Sequence, residues 1–104
     1  MLKRVLAIMV IMTCFCAVTA HAYTFRPQWV PQAQFAGFYM ADKMGYYAEA
    51  GIDVEIKDGG PGIVGLQEVY ENTTDFASGW LIVGLRLKAE GQPLKLIGQF
   101  FQKN

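Results

Sequence analysis

Four clusters of residues in this 104-residue chain have side chains suited to molecular recognition. Trp29 is followed by Gln32 and Phe35. Gly59-Gly60-Pro61-Gly62 forms a glycine-rich loop. Gly79-Trp80 makes a third corner, and Gln99 with Gln102 a fourth. Indole faces offer stacking area at low entropic cost. Glutamine amides offer donors and acceptors in pairs. Glycines such as Gly60 and Gly62 let backbone N–H groups approach a ligand at a helix N-terminus. Together they suit a planar heterocycle that is uncharged or weakly charged. Each cluster also has a plainer reading. Either tryptophan can be a core residue, the glycine loop can be only a tight strand-to-helix connection, and most of Phe35, Phe38, Tyr39, Tyr46 and Tyr47 are expected in the core. Phe35 is the aromatic expected nearest the cleft. No Gly-Lys-Ser/Thr follows the glycines, so this is not a loop for nucleotide phosphates.

Nucleophilic and metal chemistry have little to work with. Cys14, Cys16 and His21, the chain's only cysteines and histidine, all precede residue 23. That region has the three parts of a secretory signal: Lys3 and Arg4, the uncharged and mostly apolar run Val5–Val18, and Ala20-His21-Ala22 as the cleavage site. The run is shorter than the roughly 20 apolar residues that span a bilayer, and no lipobox precedes either cysteine. Cleavage after Ala22 leaves Tyr23–Asn104 with no disulfide, thiolate, imidazole or Cys/His metal site. Ser78, the one serine, has no histidine to activate it. The expected product acts outside the cytoplasm, in the periplasm or extracellularly, with no cofactor and no metal. It meets the membrane only through the signal. The whole chain is net neutral and the segment left after cleavage slightly acidic, with charges interspersed, which gives nucleic-acid binding no support.

The elements that must position these residues alternate. Tyr23–Val30 reads as a strand interrupted by Pro27, hence irregular, bulged or at an edge. Gln34–Met44 reads as a helix and Tyr46–Ala50 as a helical turn closed by Gly51. Ile52–Asp58 alternates apolar and charged residues, so one face is wet and the strand belongs near an edge. Pro61 suits the first turn of a helix over Ile63–Glu71, with Ile63, Leu66, Val69 and Tyr70 buried. Asp75–Ser78 is a third strand. Leu81–Glu90 is a helix with Leu81, Ile82, Leu85 and Ala89 inward, and Leu94–Gln102 is a fourth strand. This β-α-β-α-β-α-β order predicts an α/β fold with a parallel sheet flanked by helices. Ligands in such sheets bind outside the carboxyl ends of the strands, where all four clusters fall.

The stretch Trp29–Gly62, continued by Asp75–Trp80 and Leu94–Gln102, resembles the opening of the NMT1/THI5-like (SsuA/THI5-like) substrate-binding proteins of ABC importers. The resemblance implies a type II periplasmic-binding-protein-like fold, in which two lobes close on a small molecule and an ABC permease receives it. It further implies that Trp29, Gln32, Phe35, Gly59, Gly60, Pro61, Gly62, Gly79 and Trp80 line the first-lobe side of the cleft. Members take thiamine pyrimidine precursors, alkanesulfonates or nitrate-like anions. On this reading residues 1–22 are the signal and 23–104 are part of a first lobe, without second lobe or hinge. Alone, that part should bind weakly or not at all and be poorly soluble. Two alternatives belong to other classes. Enzymatic members make the thiamine pyrimidine using a histidine and a lysine-held pyridoxal phosphate, for which Lys57 is the nearest lysine here. Related lobes also serve as input domains of signalling proteins.

Overall fold

The computed structural model describes residues 21–100. The expected signal before residue 21 and the last two residues of the expected fourth strand lie outside the described residues. Three short strands, β1 (Tyr23–Arg26), β2 (Val54–Ile56) and β3 (Phe76–Ala77), form a sheet in the order β2-β1-β3. Both pairings are parallel, with Tyr23 opposite Val54 and Phe25 opposite both Ile56 and Phe76. Each connection between them contains helix, as a parallel sheet demands.

β1 corrects one expectation. It is the central strand, neither bulged nor at an edge. Proline still sets its length: pairing stops at Arg26, and Pro27 is fully buried just past it. The missing N–H therefore falls where no ladder bond is needed. The carbonyls of Phe25 and Arg26 still accept bonds from Lys57 (2.9 Å) and Ser78 (3.0 Å). β2 lies at the edge of the described sheet, as its alternation requires, with Val54 and Ile56 half-buried and Glu55 exposed.

Adjacent residues of β1 serve opposite faces. On one face the Phe25 ring packs on Phe38, with centroids 4.6 Å apart, and Tyr23 meets Phe76 edge-on at 5.9 Å. Phe38 belongs to α1 (Ala36–Lys43), which follows a 3₁₀ turn at Ala33–Phe35 and precedes the single turn α2 (Tyr46–Glu49). On the other face lies α3 (Gly65–Tyr70), whose first residue sits against Arg26 and Ala77. The amino ends of β1 and β3 are fastened by a reciprocal clamp. The Thr24 N–H and hydroxyl both donate to the Asp75 carboxylate at 2.8 Å, and the Asp75 N–H donates to Thr24 Oγ1 at 2.9 Å.

Three further expectations are revised. α3 begins at Gly65, not Ile63, because Gly60–Ile63 closes a turn of its own. The Ile63 N–H reaches the Gly60 carbonyl at 3.1 Å, with Pro61 and Gly62 in the middle and Gly62 at φ 77°. That is the residue pair a type II turn selects. Pro61 is thus a turn residue, and Ile63 and Tyr70 are exposed while Leu66 and Val69 are half-buried. α4 (Leu81–Ala89) turns a different face inward. Leu87 is 3% exposed and Val83 half-buried, whereas Leu81, Ile82, Leu85 and Ala89 are exposed. Its sequence, LIVGLRLKA, is apolar nearly all round, so its periodicity does not single out one stripe. Finally, Leu94–Phe100 forms no strand. The Leu94 N–H closes a local bond to the Gln92 carbonyl at 2.9 Å, and Phe100 reaches Phe38 at 5.1 Å. No helix among the described residues is long and apolar enough to cross a membrane.

Candidate functional site

The carboxyl ends of the three strands lead into Pro27-Gln28-Trp29, Asp58-Gly59-Gly60 and Ser78-Gly79-Trp80. Two contacts lock these segments together. Gly59 lies so close to the first segment that a methyl built there falls inside 3.0 Å of the Trp29 and Pro27 carbonyl oxygens. Only glycine permits that approach. On the other side the Gln28 N–H donates to Ser78 Oγ at 2.8 Å. The one serine of the chain is therefore a tie between strand ends.

Trp29 and Trp80 stand on this base, 50% and 54% exposed. Neither is the core residue of the plainer reading. Trp29 has φ 65°, a left-handed conformation that costs a bulky residue about 1–3 kcal/mol and concentrates at functional sites. Trp80 is extended and leads directly into α4. The other expected residues divide. Gly60 is buried beneath the loop, and Gly79 packs against Leu66. Gln32, Pro61 and Gly62 are exposed on the loops leading away. Phe35 is 4% exposed, so it is a core residue and offers no face to a ligand. The six-residue α3 starts beyond Gly62, so the loop does not aim a helix N-terminus at the edge. Gln99 is not carried there by a strand, and Gln102 lies outside the described residues.

Five polar residues at or beside this edge make bonds that escape sequence reasoning. Arg26, the last residue of β1, holds Glu68 of α3 through two bonds, Nε to Oε2 at 2.8 Å and Nη2 to Oε1 at 3.0 Å. Its Nη1 donates to the main-chain carbonyl of Asp58. One guanidinium thus joins β1, α3 and the β2 end. The buried Thr74 hydroxyl adds a bond to Glu68 Oε2 at 3.0 Å. On the opposite face the Tyr39 hydroxyl of α1 donates to Asp58 Oδ1 at 3.2 Å. A partner 42 residues away leaves no local trace in the sequence. The one visible signal is an arginine closing a strand, directly before a proline.

The bonds from Arg26 hold the Glu68 carboxyl below its ordinary 4.5; burial pushes the other way, and Thr74 adds to the lowering. A depressed carboxylate contributes stability that is complete above its unfolded-state pKa and is lost as pH falls through the lower folded-state value. Stability should therefore be flat near neutrality and decline below about pH 4.5. Glu68→Gln should flatten that acid limb, measured as urea midpoints across pH 3–7. An acid limb equally steep in the variant would show that Glu68 is not its source.

A three-stranded parallel sheet flanked by helices, with Trp29 and Trp80 exposed just past the carboxyl ends of β1 and β3, gives a small α/β structure of the periplasmic-binding-protein-like class to which its family model belongs. The family model described as NMT1/THI5 like matches residues 32–104. The chain belongs to the NMT1/THI5-like family. The match contains Gly59–Gly62 and Gly79-Trp80 and begins just after Trp29. No curated protein and no solved structure matches the chain.

Proposed function

We propose that this chain supplies one wall of the ligand cleft of an extracytoplasmic solute-binding protein, which hands a small planar molecule to an ABC permease. A thiamine pyrimidine precursor is the favoured solute class, and a second α/β lobe forms the opposite wall. The observation that carries the reading is a pair of half-exposed indoles on three strand ends tied to one another by Gly59 and Ser78. Such a base holds stacking surfaces still, which reduces the ordering cost of binding. Family membership supports the same role. A binder is favoured over a pyrimidine-making enzyme because Lys57 is engaged away from the edge, donating to the Thr73 carbonyl at 2.8 Å.

The chain contains only two tryptophans, and both are at the proposed site. Indole N–H resonances in ¹⁵N-correlated NMR spectra therefore report on it directly. Titration with an aminopyrimidine should move both signals together along a saturating curve. One open wall implies weak binding, in the millimolar range. Two stationary indoles while other resonances shift would place the ligand elsewhere and overturn the assignment.

A further inference from the structure

The described sheet ends on two unlike edges. β2 is guarded, because Asp53, Glu55 and Lys57 set a charge at every second residue, a pattern that discourages further pairing. β3 has no such guard. It carries Phe76 and Ala77, and the neighbouring Asp75 carboxylate is engaged by Thr24. Along a parallel strand, successive residues bond to opposite sides. Arg26 lies opposite Ala77, and the Ser78 N–H donates to the Arg26 carbonyl at 3.0 Å, so Phe76 and Ser78 turn toward β1. The Ala77 N–H and carbonyl therefore face outward, and among the described residues neither has a hydrogen-bond partner. Phe76 beside them is 41% exposed.

The same chain carries a strand-forming segment without a ladder. Leu94–Phe100 reads LKLIGQF. Its ends are held locally. The Leu94 N–H donates to Gln92, the Leu94 carbonyl accepts from Lys88 Nζ at 3.1 Å, and the Phe100 ring lies on Phe38. Between them Leu96 and Ile97 are 74% and 79% exposed, and their backbone groups bond to no strand. An open acceptor edge and an unpaired donor segment on one chain are complementary between two copies.

We propose that this chain pairs with a second copy by two-fold exchange, each Leu94–Phe100 segment adding as a strand to β3 of the other copy. Strand addition draws affinity from backbone bonds and specificity from alternate side chains, and two-fold symmetry closes the assembly at two. Leu96, Ile97 and Phe100 expose apolar surface on the order of 100–150 Å² each. With the surface they cover on the other copy, the exchange removes roughly 600–900 Å² per chain, near the ~800 Å² per partner of a standard interface. The pairing stands on the β3 edge and is independent of the ligand wall.

Light scattering after size exclusion, on the full chain from micromolar to millimolar concentration, should show one chain giving way to two. Amide hydrogen exchange over the same range should protect the Ala77 N–H, and alternate amides of Leu94–Phe100, only where the dimer forms. Leu96→Lys combined with Ile97→Lys should raise the dissociation constant roughly ten-fold or more. Both side chains are exposed in the single chain, so its far-UV circular dichroism should not change. A chain that stays single at every concentration overturns the proposal, as does assembly that grows past two. A dimer whose Ala77 amide exchanges as fast as in the single chain has formed through another face. Ala77 protection that is independent of concentration means that the segment has closed its own edge. Either result also overturns it.

Discussion

Gly59→Ala is expected to destabilise the fold by about 2–3 kcal/mol, at the upper end for overpacking a filled site. The added methyl falls inside 3.0 Å of two main-chain carbonyl oxygens, those of Trp29 and Pro27. A side chain in the way could rotate aside, but a carbonyl moves only with its peptide. The Pro27–Trp29 segment must then shift, and Pro27 is fully buried while Trp29 already sits at positive φ. Little freedom remains to absorb the displacement. The same change at Gly37 makes the contrast. That glycine lies in α1 with no heavy atom within 4 Å of the position its Cβ would take. Alanine there should stabilise by roughly 0.5–1 kcal/mol through helix propensity. Urea denaturation followed by far-UV circular dichroism measures both. Should Gly59→Ala unfold at the wild-type midpoint, the close approach of the β1 and β2 ends is wrong, and with it the base of the site.

The second large effect belongs to Arg26. Arg26→Met should cost roughly 2–4 kcal/mol, because it leaves the Glu68 carboxylate poorly solvated and without its cation. Exposures of 16% and 24% for the two side chains put the pair between a surface bridge and a buried one. The Asp58 carbonyl also loses its donor. The double variant Arg26→Met/Glu68→Met should recover much of the loss, since an apolar pair replaces the ion pair without orphaning either charge. The coupling between the two substitutions should exceed about 1 kcal/mol, the excess expected of residues in direct contact. Purely additive losses would mean that the two side chains do not act as a unit.

Periodicity made much of this legible. The alternation through Ile52–Asp58 located β2 and its place at the sheet edge. The aromatic run after Trp29 located α1, and glycine and proline marked the breaks. Strand-end placement put Trp29, Gly59 and Gly79-Trp80 just past the carboxyl ends of three strands, which is where the structure has them. What the sequence concealed has two physical sources. One is sequence separation: Arg26 with Glu68, Gln28 with Ser78 and Tyr39 with Asp58 are pairs made by the fold, and no local pattern encodes them. The other is residues that satisfy two patterns at once. α4 is apolar on most sides, so packing selects Leu87 where spacing favoured Leu85. Phe35 reads equally well as a cleft aromatic or a core one, and burial makes it core. Pro61 fits a helix start or a type II turn, and Gly62 tips it to the turn. Leu94–Phe100 has the composition of a strand without the pairing, because strand propensity describes a fit to neighbours more than a backbone preference.

The central position of β1 governs the order in which the molecule can assemble. The first strand out of the ribosome is the one that both others need. β2 arrives about thirty residues later, and β3 only after some fifty, the separation spanned by the Thr24–Asp75 clamp. Every sheet contact is therefore long-range, and loop closure comes before the contacts that repay it, the condition that slows folding. Until Asp75 is made, the chain has helices to form but no complete sheet to lay them on. A nascent chain is thereby kept open until Asp75 has emerged, and only then can the clamp fasten β1 to β3.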